Sequence, residues 1–110
     1  MMKVILDTDP GIDDALAILL LATLPEVDLQ AITVTHGNTT VDKCLANALK
    51  IATLAGLDDV PIARGAAEPL IQKLTVAEET HGDTGLGYAV LPNSSLPVAE
   101  CKAFELMIDL

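Results

Sequence analysis

A short apolar run, Lys3 to Asp7 (KVILD), ends in acid, breaks at Pro10-Gly11 and gives way to a second apolar stretch from Ala15 to Leu24. That order constrains the fold more than any other feature. A brief apolar run of this kind suits a strand buried on both faces, as in a parallel sheet. The Pro-Gly pair then breaks the chain sharply. Asp13 and Asp14 suit a helix N-terminus, where carboxylates accept free N–H groups and meet the positive end of the dipole. The helix that follows, Ala15 to about Thr23, is apolar nearly all round and is expected to be well buried, with Pro25 marking its end.

The same grammar recurs downstream. Leu29 to Thr35 (LQAITVT) is rich in β-branched residues and reads as a second strand. His36-Gly37-Asn38 forms a turn, with His36 a turn or packing residue, and Thr39 or Thr40 can cap the next helix. In that helix Val41, Cys44, Leu45, Ala48, Leu49 and Ala52 recur at helical spacing, and Gly56 suits its C-terminal end. Val60 to Ala63 reads as a short third strand, interrupted by Pro61. Strand, helix, strand, helix, strand is the order of an α/β fold: part of an open, mostly parallel sheet flanked by helices.

Beyond it the pattern loosens. Leu70 to Ala77 is extended or helical, and Thr80 to Pro97 is a long irregular stretch containing HGDTGLG at His81 to Gly87. Long loops in compact domains are functional or disordered as a rule. Lacking a following Lys-Ser/Thr, this one is not a P-loop. From about Val98 a final segment sets Ala103, Phe104, Met107 and Leu110 on one helical face. It stops on an apolar residue without a cap, the expected sign of a cut chain.

Length and charge exclude several functions. A chain of 110 residues supports one compact domain with a modest core. Six Lys and Arg against 16 Asp and Glu, a net charge of −10, argue against a nucleic acid polymer as partner. They argue equally against a polybasic grip on a membrane. The ten-residue apolar stretch is about half of the ~20 residues a spanning helix needs. With no signal-peptide pattern either, a cytoplasmic protein is expected. Cys44 and Cys101 sit in apolar contexts without metal-ligand spacing and read as buried free thiols.

The chemistry concentrates in DTDPGIDD, where Asp7, Asp9, Asp13 and Asp14 place four carboxylates within eight residues. Strand periodicity puts Asp7 and Asp9 on one side, and the Pro-Gly turn lets Asp13 and Asp14 face Asp9 again. Carboxylates this close repel unless one is protonated or a cation sits among them. The C-terminal end of a strand in an open α/β sheet is also where ligands bind. All-oxygen ligation points to a hard cation, Ca²⁺ or Mg²⁺. The plainer alternative is a capping pair plus two solvated loop acids.

DTDPGIDDALAILL resembles the N-terminal signature of the inosine–uridine preferring nucleoside hydrolases, the nucleoside N-ribohydrolase family. VTHGNTT (Val34 to Thr40), HGDTGLG and VPIARGAAEPL (Val60 to Leu70) match in order and approximate spacing, so the resemblance covers essentially the whole chain. It implies a Rossmann-like nucleoside hydrolase fold, of which residues 1–110 form a truncated N-terminal third. It further implies a Ca²⁺ ion ligated by Asp9 and Asp14, with Asp9 also accepting the proton of an attacking water. Asp13 would hydrogen-bond the ribose or orient that water, and Asn38 and His81 would contact substrate. Asp7 would stand behind these residues, fixing the loop or hydrogen-bonding a ligand.

By the same resemblance the substrate is a ribonucleoside, the products are ribose and free base, and the full-length family allows a homo-oligomer. The remaining metal ligands and the ribose-gripping residues come from later in the family's chain. An inactive remnant that binds a partner through its exposed edge is therefore the competing expectation. A haloacid dehalogenase-type phosphatase, with Asp7 as nucleophile, is a weaker one, because Gly11 stands where that motif carries Thr or Val.

Overall fold

The structure, a computed structural model, describes residues 1–70, 86, 91 and 94–110. Three strands, β1 (Met2–Thr8), β2 (Val27–Val34) and β3 (Ile62–Arg64), form a sheet in that order, every pairing parallel. Helix α1 (Ile12–Thr23) connects β1 to β2, helix α2 (Val41–Ala55) connects β2 to β3, and a shorter helix α3 (Ala103–Asp109) follows. The expected α/β class and parallel sheet are both present.

The core lies between the sheet and the first two helices. Ile18 of α1, Ile32 and Val34 of β2, Ile62 of β3 and the α2 face of Val41, Cys44, Ala48, Ile51 and Ala52 form one buried cluster that also takes in Leu86. Side chains alternate across a strand, so Ala31 and Thr33 point to the opposite face, and both are buried there too. Helix α3 lies against β2 and β3, where Ala103 is buried.

Three expectations need correction. The first strand is not buried on both faces: Lys3, Ile5 and Asp7 are exposed, while Val4, Leu6 and Thr8 turn inward. Among the described residues β1 pairs with β2 alone and is the sheet edge, and α1 and α2 cover one face of it. Helix α1, apolar nearly all round, is only half covered for the same reason: Ile18 is buried, but Leu16 and Leu20 are 65% and 57% exposed. The third strand runs Ile62–Arg64, with Pro61 just before it. Having no N–H, Pro61 suits the strand entrance, and its carbonyl accepts Ile32 N–H at 2.9 Å. The face of α3 that carries Phe104, Met107 and Leu110 is exposed, with Ala103 the buried residue of that helix.

The termini of α2 follow the sequence signals. Thr40 accepts Lys43 N–H through its side chain, and Gly56 closes the helix at φ 74°, its N–H directed to Ala52 and Thr53 carbonyls. Both cysteines are free, Cys44 buried and Cys101 partly so. No helix among the described residues is long and apolar enough to cross a membrane.

Candidate active site

The acids gather where β1 ends and α1 begins, at the C-terminal edge of the sheet. Four successive carbonyls in this connection each find a donor, as buried backbone requires. Thr8 O accepts Thr35 N–H at 2.9 Å, Asp9 O accepts the Asn38 side-chain amide at 3.0 Å, Pro10 O accepts the Asn47 side-chain amide at 3.2 Å, and Gly11 O accepts Ala15 N–H at 3.1 Å. The loop is therefore clamped from two sides: its own helix holds the last carbonyl, and β2 with the turn and helix after it holds the other three.

Asp9 is fixed at both ends. Its carbonyl takes the Asn38 side chain, and its carboxylate Oδ2 accepts Asn38 N–H at 2.8 Å. Gly37 makes this contact geometrically available. A Cβ there would overlap the Asp9 carboxylate, so the glycine serves close approach, and its φ is not positive.

Asp13 and Asp14 lie inside the first turn of α1, after an N-cap at Gly11 that makes no side-chain hydrogen bond. Neither is a capping residue, although both sit favourably for the helix dipole. Asp13 is exposed. Asp14 is half-buried, and its Oδ2 is shielded from solvent without an aligned hydrogen-bond partner; the Thr8 hydroxyl is in the same condition. Burial pushes the Asp14 carboxyl above the usual carboxylate range, the nearby Thr8 hydroxyl pulls it down, and the carboxylates of Asp9 and Asp13 push it further up. Asp9 and Asp14 are thus brought together, with Asn38 secured to Asp9.

Asp7 stands apart. Its carboxylate is exposed and accepts the Thr33 hydroxyl at 2.7 Å across the β1–β2 register, where the two residues are paired. It borders a cleft of about 790 Å³ whose lining includes Thr35, Arg64, Ala99, Cys101 and Phe104. Arg64 itself reaches Asp42 at 2.9 Å. His81 and all of HGDTGLG except Leu86 lie outside the described residues.

Comparison with known proteins identifies the arrangement. The sequence model of the inosine-uridine preferring nucleoside hydrolases matches residues 4–110. The chain belongs to this family. It is 47% identical over 107 residues to the pyrimidine-specific ribonucleoside hydrolase RihA of Photobacterium profundum, covering 97% of this chain and 34% of that protein. It superposes with TM-score 0.91 on a purine-preferring ribonucleoside hydrolase from Gardnerella vaginalis at 34% identity, covering 98% of this chain and 35% of that one. An inosine-guanosine nucleoside hydrolase aligns with TM-score 0.88 at 37% identity, covering 97% and 33%. The chain spans about a third of the length of the relatives it matches. Membership also sets aside the phosphatase reading, which rested on an Asp-x-Asp pattern alone.

Within this family segment the donor set suits a hard cation. Asp9 and Asp14 offer oxygen, and the buried, unpartnered Asp14 Oδ2 is the kind of atom that an ion or water satisfies. Among the described residues no group of three or more Asp, Glu, His or Cys side chains converges as a complete cage. Two carboxylates form part of a shell.

Sequence reasoning passed over Asn47, Gly37 and Thr33. Asn47 had a readable signal. It stands beside Ala48 on the apolar face of α2, and a buried Asn has to be hydrogen-bonded to something. Gly37 and Thr33 gave none, because their roles depend on what lies across the strand gap.

Proposed function

We propose that this chain supplies the acidic half of a ribonucleoside hydrolase site, in which Asp9 and Asp14 hold Ca²⁺. The observation that carries the reading is the pairing of these two carboxylates at the strand end, one fixed by Asn38 and the other left with a buried oxygen that has no aligned hydrogen-bond partner. Bound there, Ca²⁺ would orient the ribose hydroxyls and lower the pKa of a coordinated water.

The chain's own residues supply the rest. Asp9, immobilised by two hydrogen bonds from Asn38, accepts the proton of water as its oxygen bonds to the anomeric carbon; the N-glycosidic bond breaks, and the base leaves with the bonding electron pair and takes up a proton from solvent water. Asp13, exposed one residue before Asp14, is free to hydrogen-bond a ribose hydroxyl. The acidic surroundings favour the positive charge that develops on the sugar. Asn38 is committed to Asp9, so its role is to aim that carboxylate. His81 is assigned to substrate contact by its motif.

Relatives named for pyrimidine, purine and inosine-guanosine substrates align over this same third. That supports ribose, the part common to all nucleosides, as what the segment addresses. Cytoplasmic nucleoside catabolism is the setting we assign.

Calcium titration of the chain tests the reading. Wild type should bind weakly and saturably, since affinity follows ligand number and charge. Asp9→Ala and Asp14→Ala should abolish binding, while Asp13→Ala should keep most of it. Where the remainder of the domain is present, Asp13→Ala should lose turnover with the ion still bound. Near-normal binding or activity in Asp9→Ala would refute the assignment.

A further inference from the structure

We infer that Asn47 is a positioning residue for the acidic loop: from inside α2 it holds the Pro10 carbonyl, and thereby sets how Asp9 meets Asp14. The inference rests on the reading of that loop as the ion and ribose site. It adds a residue from a different element, bonded to the backbone of the loop.

Asn47 is 2% exposed, on the face of α2 that otherwise buries Val41, Cys44, Ala48, Ile51 and Ala52. An amide on such a face is retained only where it finds partners, because an unpaired polar group there is strongly unfavourable. Its Nδ2 donates to Pro10 O at 3.2 Å across 37 residues of sequence. Pro10 is itself fully buried and separates Asp9 from the start of α1. The bond falls midway between the Asn38 clamp on Asp9 and the first helical hydrogen bond at Gly11. With it in place, every carbonyl from Thr8 to Gly11 is hydrogen-bonded. Without it, the Pro10 carbonyl would be buried and unpaired, and the turn would rotate to expose it. Asp9 and Asp14 sit on either side of that pivot and would be carried apart.

A helix residue that mattered only for packing would act on the whole domain, whereas a positioning residue acts on the loop. Asn47→Leu keeps the volume and removes the donor. Ala48→Gly lowers helix stability while leaving the amide untouched, and serves as the matched control. Two readouts are needed: calcium titration, and hydrogen exchange of Asn38 N–H relative to the core amide of Ile32.

Asn47→Leu should weaken calcium binding about tenfold or more, the scale seen when a residue supporting metal ligands is lost. It should also speed Asn38 exchange relative to Ile32, and Ala48→Gly should do neither. Wild-type binding in Asn47→Leu, or equal losses in the two variants, overturns the inference. Should wild type bind no calcium, the ion reading fails and exchange decides alone: a selective change at Asn38 upholds the positioning role, and an unchanged ratio overturns it.

Discussion

Asp14 is the residue at which folding and function pull hardest against each other. Burial and the carboxylates of Asp9 and Asp13 hold its pKa above the ordinary range, so the folded chain keeps a proton that the unfolded chain releases. Between the ordinary and the raised value the folded state binds more protons. Stability therefore falls as pH rises through that window and is level above it. Asp14→Asn lacks this slope. In ion-free buffer its melting temperature should gain on wild type as pH rises from the ordinary carboxylate range through the raised Asp14 value, and calcium should raise wild type but not the variant. A difference that stays constant with pH would show that Asp14 is solvated. Gly37 makes the complementary point by sterics. Gly37→Ala drives a methyl into the Asp9 carboxylate and must displace the Asn38 N–H bond. Overpacking of this kind costs about 1–3 kcal/mol, measurable by urea titration, and calcium binding should fall with it.

At the scale of elements, α2 does more than fill the core. It starts from the turn that fixes Asp9, and its buried face carries the amide that fixes Pro10. Its two ends should respond unequally to substitution. Nothing lies within 4 Å of a Cβ built at Gly56, so Gly56→Ala meets only the left-handed φ of 74° and should cost about 1–2 kcal/mol. The Thr40 cap is long at 3.4 Å and exposed, so Thr40→Ala should fall near the low end for caps, about 0.5 kcal/mol. The reverse order in urea melts would show that the N-terminal cap dominates α2.

These ends were legible in the sequence because caps depend on residue type and local spacing. So were the three parallel strands, from β-branched runs separated by helical periodicity. Burial was less legible. KVILD and the α1 leucines read as core by composition, but composition does not say how many neighbours a face will have. The site divides the same way: the acids announce themselves within eight residues, whereas Gly37 and Thr33 gain their roles only from contacts across the sheet.

For the molecule as a whole, the chain spans about a third of its relatives' length, and part of its apolar surface is exposed. Leu16 and Leu20, one helical turn apart on α1, are both largely exposed. Phe104 and Ile108 project from α3, at 59% and 76% exposure. Among the described residues β1 leaves one strand edge unpaired, and an open edge together with exposed leucines favours self-association. A net charge of −10 opposes but does not abolish it, because screening shortens charge repulsion to about 8 Å at physiological salt. The chain should therefore sediment as a concentration-dependent mixture, more associated at high salt. Leu16→Lys with Leu20→Lys should shift it toward monomer. Because both side chains are largely exposed, stability should change by less than about 0.5 kcal/mol per site. Unfolding of the double variant would show that α1 is packed on both faces after all, and unaltered sedimentation would place the contact elsewhere.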